Sequence, residues 1–457
     1  MDAATVTTAE QARAFVAGSG HRYVKVAVSD IDGVHVGKYM HRDKFSGALA
    51  DGFGFCDVVL GWDLADRIFD RDGYTGWRTG FPDAAVRLLP ETCRAIPFED
   101  GLPLFLGEFS GAAEAVCPRA VLRRVLAKAG DMGFVARAGF EYELFVFAET
   151  PASVRAKHYR DLVPMAPDMM GYSVLRATTA AEVYRDLLDT CEAMRLPLEG
   201  LHEETGPGVL EAALGASDGV EAADRAALFK TFSKAVLQRR GLMATFMARW
   251  STAQAGQSGH LHLSLLHATD GTPVFHDREA GPDAISATMR HFIGGVQALL
   301  PQFTAMLAPT VNSYRRLVPG YWAPTNATWG LDNRTVAIRA IPGKPSAQRI
   351  EMRAAGADAN PYLAMAATLA AGLHGIERGL EPTPPQKGNA YTARVPRRLA
   401  LPGALDLAAT AFAASKAAKD AFGAAFVEQF AMTRHAEARE FARAVTDWEL
   451  ARYFEII

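Results

Sequence analysis

Apolar and polar residues alternate with a period of two over residues 23–29 and 34–39, which predicts two strands. Asp32-Gly33 between them predicts a hairpin turn. Short strands are also predicted at 86–89 and 104–109. Ahead of all four, Thr8 and Gln11 stand at capping-box spacing and open a helix that Gly18 closes. Residues 47–77 are rich in Gly, Asp and aromatic residues and read as long loops. These elements predict a small sheet-plus-helix unit over residues 1–112.

Beyond residue 112 the two periodicities interleave. Pro118 stands in the first turn of a predicted helix that runs to residue 130. Strands are predicted at 139–147, 260–266 and 350–354. Helices are predicted at 180–194, 219–240, 284–299 and 361–378. Residues 151–172 and 379–398 lack periodicity and read as loops, while 405–425 and 436–453 read as helices. The mixture predicts an α+β fold whose second unit, residues 113–457, carries an antiparallel, partly solvent-facing sheet.

Composition narrows the class. A chain of 457 residues exceeds a typical single domain, and 49% hydrophobic with 22% charged residues is ordinary for a soluble globular protein. A formal net charge of -3 gives no drive toward nucleic acid or an anionic membrane. Cys56, Cys93, Cys117 and Cys191 are widely spread and form no Cys-x-x-Cys pair, as expected of free thiols in a reducing compartment. Asp2, Glu10 and Arg13 interrupt the N-terminus, and no apolar run reaches membrane-spanning length, so a cytoplasmic protein is expected.

Four strings carry the chemistry. Glu141 and Glu143 in Gly139-Phe140-Glu141-Tyr142-Glu143 are two residues apart and share one strand face. His202-Glu203-Glu204 and Glu211 flank the turn Thr205-Gly206-Pro207-Gly208. His260, His262 and Ser264 share one face of their strand, with Leu261, Leu263 and Leu265 on the other. Arg349, Glu351 and Arg353 alternate once more. Each string alone also reads as a polar strand face, a solvated loop or a salt-bridge ladder. Together they supply carboxylates that repel one another without a cation, with arginines suited to phosphate and carboxylate oxygens.

In this order the strings resemble the glutamine synthetase family, bacterial class I in particular, most strongly from Gly139 to Arg378. The most specific stretch is Asn312-Ser313-Tyr314-Arg315-Arg316-Leu317-Val318-Pro319-Gly320-Tyr321, followed by Asn333-Arg334, Arg339, Arg349-Ile350-Glu351-Met352-Arg353 and Asn360-Pro361-Tyr362. The resemblance implies an N-terminal β-grasp domain and a catalytic domain with a curved antiparallel sheet. It implies ATP and two to three Mg²⁺ or Mn²⁺ ions per site. One ion would be held by Glu143, Glu203 and Glu211, the other by Glu141, His260 and Glu351. His262 and Ser264 would help hold ATP. Arg316, Arg353 and the backbone at Gly256 would hold glutamate. Arg334, Arg339 and Arg349 would face the nucleotide and the transferring phosphate. It also implies a homo-oligomer, a hexameric ring or double-ring dodecamer, with sites between subunits.

The sequence departs from the family at the amine side. Where the family reads Gly-Tyr-Glu-Ala-Pro, this chain reads Gly320-Tyr321-Trp322-Ala323-Pro324. A tryptophan cannot take a proton from ammonium and presents a flat apolar surface instead. The family's Asp-Gly-Ser-Ser segment is replaced by Cys56-Asp57-Val58-Val59-Leu60-Gly61-Trp62-Asp63, where Asp63 is the candidate base, Asp57 stands behind it, and Trp62 is an apolar wall from a neighbouring subunit. Ala255 stands where an asparagine is expected, and the flanks of Tyr391 do not match the family's adenylylated loop. With Trp329 as a further aromatic candidate, the pattern resembles the glutamate–amine ligase branch. The implied reaction joins an alkyl or aryl amine to glutamate through γ-glutamyl phosphate, as a step in amine catabolism. Ammonia is the alternative.

Overall fold

The computed structural model describes residues 2–69, 73–277 and 285–457. The first sheet contains β1 (Tyr23–Ser29), β2 (His35–His41), β3 (Phe53–Cys56), β4 (Asp83–Ile96) and β5 (Leu102–Phe109), in the order β2-β1-β5-β4-β3. β1 and β5 run parallel, and the other neighbours are antiparallel. Strand parity gives the sheet two apolar faces. Val24, Val26 and Phe105 pack with Ala12, Val16, Phe45 and Ala48 of the helices Ala9–Gly18 and Arg42–Asp51. Ala27, Leu104 and Leu106 point the other way, into the main core.

The second sheet contains β6 (Phe134–Phe147), β7 (Leu198–Glu203), β8 (Val209–Leu214), β9 (Ser217–Asp218), β10 (Met243–Thr245), β11 (Gly259–His267), β12 (Trp329–Leu331), β13 (Ile338–Ile341) and β14 (Arg349–Met352). Its path is β12-β13-β14-β11-β6-β8-β7, with β9 and β10 also paired to β6, and only β12–β13 is parallel. The expected α+β fold with a curled antiparallel sheet is present. Phe140, Tyr142, Leu144, Leu261, Leu263, Ile350 and Met352 fill one face, buried beneath the helices Pro118–Asp131, Val220–Arg239, Ala287–Leu307 and Pro361–Arg378. The opposite face carries the polar partners of each strand.

Several expected elements differ. The helix Arg42–Asp51 runs into the region expected to be loop from residue 47, and 53–56 form a strand inside that region, because Phe45 and Ala48 bury into the core and override weak local propensity. The strand expected at 86–89 is one arm of the longer β4. A register shift between Leu89 and Arg94, across Pro90, interrupts its periodicity. Residues 151–156 form a helix opened by the Thr150–Ser153 capping box. The helix expected over 405–425 is two helices, Leu405–Ala414 and Lys416–Phe422, divided at Ser415, whose Oγ accepts from Ala418 N at 3.1 Å. The one expected over 436–453 begins earlier, as Ala424–Arg443. A second, Asp447–Tyr453, follows behind the Thr446–Glu449 capping box. The expected helix start at Ala284 lies outside the described residues, as do residues 70–72 of the expected loop. Among the described residues no helix is long and apolar enough to cross a membrane.

Candidate active site

Sheet register assembles the site in rows on one face of the second sheet. Arg339 of β13 pairs with Glu351 of β14, which pairs with His262 of β11. In the next row His260 of β11 pairs with Glu141 of β6. In the third, Glu143 of β6 pairs with Glu211 of β8, which pairs with His202 of β7. Directly opposed residues in antiparallel strands lie about 5 Å apart, so register alone brings these groups together.

The first cluster is Glu141, His260 and Glu351, each offering a ligand atom within 4.8 Å of the others. His260 Nδ1 lies 3.6 Å from Glu141 Oε2 and 3.2 Å from Glu351 Oε1. Burial opposes ionisation of Glu141, yet His260 and His262 draw its carboxyl far below the usual range. Burial also opposes ionisation of Glu351, but His260 and Arg353 hold its pKa at about 2. Arg339 Nη1 donates to Glu351 Oε2 at 2.8 Å, and Arg353 donates to Oε1.

The second cluster is His202, Glu204 and Glu211. His202 Nε2 lies 3.4 Å from Glu204 Oε2 and 3.5 Å from Glu211 Oε1, and the Tyr172 ring stacks on His202 at 4.5 Å. Glu143 adjoins Glu211 and accepts from Ser258 N at 2.7 Å. Burial, with Glu143, Glu141 and Glu204 around it, pushes Glu211 up to about 9. A carboxyl so strained by its neighbours fits a site completed by a divalent cation. The buried Nε2 of His260 likewise has no hydrogen-bond partner among the described residues. The donor set, oxygens with one imidazole, suits Mg²⁺ or Mn²⁺.

Beside the first cluster opens a cavity of about 610 Å³, a size that takes a nucleotide-sized ligand. Glu141, His262, Ser264 and Arg349 line it. On the other side of Glu351, Arg316 is buried and donates to the carbonyls of Ala354 at 3.2 Å and Arg353 at 3.0 Å. Gly256 lies against it: a Cβ there would stand 2.6 Å from Arg316 Cγ and 2.6 Å from the Ala248 carbonyl. The Trp322 carbonyl lies 3.5 Å from Arg353 Nη2, and the Trp322 residue is 55% exposed with φ +59°.

Not every expected residue joins this face. Glu203 is brought to neither Glu143 nor Glu211. It pairs in register with the core residue Leu210 and points inward to the Tyr184 hydroxyl, while Glu204 takes its place. A one-residue shift on a strand changes the face. Counting by twos from His202, the partner of Glu211, selects Glu204. Tyr172 stacks on His202 from a loop, where no periodic signature marks it in the sequence. Arg334 is exposed on a separate cavity with Asn333 and Thr335. Asp63 Oδ1 caps its own loop, accepting from Ala65 N at 2.8 Å and Arg67 N at 3.0 Å, in a small cavity beside Glu437 and Glu440. Trp62 packs with Val59 and Leu60 of the first sheet's core. Trp329 is buried and donates to the Thr383 carbonyl at 2.6 Å, so it is a core residue and not a pocket wall.

Residues 115–453 match the family described as glutamine synthetase, catalytic domain. Type-1 glutamine synthetase 2 of Dictyostelium discoideum is 42% identical over 446 residues, covering 95% of this chain and 84% of its own length. Glutamate–isopropylamine ligase of a Pseudomonas species is 36% identical over 440 residues, 95% of each chain. The solved GmaS/ADP complex superposes with a TM-score of 0.83 at 26% identity, over 97% of this chain and 99% of that one. Paired carboxylate clusters on one sheet face and these likenesses lead to one conclusion: this chain belongs to the glutamine synthetase family and is a ligase that forms carbon–nitrogen bonds.

Proposed function

We propose that this enzyme joins an organic amine to the γ-carboxylate of L-glutamate, using ATP and releasing ADP and phosphate. The observation that carries the reading is Trp322, which stands on the flap beside Arg353 where the family has a glutamate. A carboxylate attracts ammonium as a point charge, whereas an indole offers cation–π attraction of about 0.5–2 kcal/mol and contact for an amine that carries carbon. The name glutamate–isopropylamine ligase, borne by a relative that matches nearly the whole chain, supports it.

Arg316 and Arg353 hold the glutamate carboxylate, with the Gly256 backbone against Arg316. ATP occupies the cavity lined by His262, Ser264 and Arg349. Glu143, Glu204 and Glu211 form one metal site, and Glu141, His260 and Glu351 the other. Mg²⁺ or Mn²⁺ held there supplies neutralising charge for the phosphate oxygens. Arg339 faces the transferring group, and its pairing with Glu351 keeps that guanidinium in place, whereas Arg334 opens on a separate cavity and takes no part in this step. The γ-carboxylate attacks the γ-phosphorus of ATP, and ADP leaves. The amine nitrogen then attacks the resulting acyl phosphate, phosphate leaves, and the amine proton passes to a base.

We assign that base to Asp63 of a neighbouring subunit, with Trp62 beside it. In its own chain Asp63 sits against the helix Ala424–Arg443, in a cavity separate from the carboxylate clusters. This reading takes residues 1–112 as the N-terminal domain and 113–457 as the catalytic domain of a cytoplasmic ring or double ring, acting in amine catabolism. The identity to a type-1 glutamine synthetase keeps ammonia as the second reading. Phosphate release from ATP and glutamate with Mg²⁺ decides between them, compared across ammonia, isopropylamine, ethanolamine, putrescine and aniline. Best turnover with a carbon-bearing amine is expected. Best turnover with ammonia would establish a glutamine synthetase.

A further inference from the structure

Tyr391 stands on the turn Ala390–Thr392, and both flanks of that turn are tied to segments around the site. Ahead of it, Asn333 Nδ2 donates to the carbonyls of Gln386 at 3.1 Å and Gly388 at 2.8 Å, and Ala390 N donates to Thr335 Oγ1 at 2.9 Å. Behind it, Leu401 N donates to the Thr325 carbonyl at 3.1 Å and Ala327 N to the Leu399 carbonyl at 2.7 Å, just past the flap that carries Trp322. Asn389 Oδ1 accepts from Tyr391 N at 2.9 Å and fixes the turn itself.

The Tyr391 Oη is buried and has no hydrogen-bond partner among the described residues, and the same holds for Arg353 Nε. The phenol feels the guanidinium groups of Arg353 and Arg316 and the backbone N–H of Trp322, which stops short of hydrogen-bond geometry. The phenol is in turn among the groups that act on Arg316. These three neighbours are donors and cannot accept its proton. Burial, working against those cations, raises the Tyr391 pKa above its ordinary value, so the hydroxyl keeps its proton at neutral pH. A buried O–H and a buried guanidinium N–H without an acceptor are costly, and native proteins rarely leave such groups unpaired. Among the described residues no acceptor reaches either of them, whereas a substrate carboxylate brings two oxygens to the arginine pair.

We infer that Tyr391 is a substrate-binding residue whose hydroxyl donates to the glutamate carboxylate that Arg316 and Arg353 hold. The inference rests on the reading that this arginine pair holds glutamate.

Calorimetric titration of the assembled full-length enzyme with glutamate, in the presence of Mg²⁺ and ADP, tests it. Tyr391→Phe removes only the hydroxyl. It is expected to raise Kd for glutamate about 10–100-fold, the cost of one hydrogen bond to a charged group, with Mn²⁺ affinity at the parent value. Glutamine and isoglutamine, each a glutamate with one carboxylate replaced by an amide, are titrated on both proteins. The monoamide that lacks the contacted carboxylate is expected to lose severalfold less, which identifies that carboxylate. A change of fold would weaken all three ligands alike, because they meet the same variant. Equal loss on all three, or a Kd for glutamate within error of the parent, overturns the assignment. Arg316→Lys tests the underlying reading separately and is expected to raise Kd for glutamate as well. Selective loss in Tyr391→Phe beside an unchanged Kd in Arg316→Lys keeps the phenol on the substrate and removes Arg316 from it.

Discussion

Arg349 Nε donates to His262 Nδ1 at 3.0 Å, and that bond sets the imidazole tautomer. With Nδ1 accepting, the proton sits on Nε2, which lies 3.1 Å from Glu141 Oε2. The nucleotide cavity and the first carboxylate cluster are therefore joined through one ring. Arg349→Met is expected to lower kcat for ADP release by about 10–100-fold, the usual cost of losing an outer partner of a metal site. A rate within error of the parent enzyme would show that the tautomer is held by something else.

Glu204 and Glu203 are adjacent in sequence and opposite in face. Glu204→Gln should weaken Mn²⁺ binding by more than about tenfold, since even outer-shell partners cost that much. Glu203→Gln should leave Mn²⁺ affinity unchanged. Titration of both variants by electron paramagnetic resonance separates them, and the reverse order would restore Glu203 as the ligand.

Trp322→Glu should move the ratio of kcat/KM for ammonia over the preferred amine toward ammonia by about tenfold, the equivalent of 1–2 kcal/mol of cation–π contact. An unchanged ratio would remove Trp322 from the specificity argument.

Gly256→Ala puts a methyl group against Arg316 and the Ala248 carbonyl. Displacing the guanidinium by about 1 Å is expected to raise KM for glutamate by about 100-fold. Mn²⁺ affinity, measured alongside, should stay at the parent value. A joint loss of both would point to misfolding.

Burial, with Asp32 nearby, pushes Asp30 up to about 8. Its Oδ1 accepts from Asp32 N at 2.9 Å and Val34 N at 2.8 Å, bonds that an asparagine oxygen can also accept. Because the folded pKa is raised, the folded chain holds a proton that the unfolded chain loses above about pH 4. That contribution is full below about pH 4 and is lost as pH rises through about 8. Asp30→Asn should therefore raise Tm relative to the parent, and by more at pH 8.5 than at pH 5. An equal difference at both pH values would show that Asp30 does not titrate in this range.

Much of the site was legible because strand parity is a local property. Glu141 with Glu143, His260 with His262, and Arg349 with Glu351 and Arg353 share faces by counting in twos. Glu203 came from the resemblance and not from parity, and the choice between it and Glu204 depends on the pairing of His202 with Glu211 across a turn, which the sequence leaves open. Parity could not place Tyr172, which reaches His202 from a loop.

By itself the sequence determined the alternating strands, the long helices at 220–239 and 361–378, the donor types of both clusters and the tryptophan on the flap. Each follows from short-range periodicity or side-chain chemistry. Only the tertiary structure decided that Glu204 rather than Glu203 faces Glu211 and that Trp329 is core. Those facts depend on register between distant strands and on burial, which set distances and dielectric surroundings that no local pattern encodes.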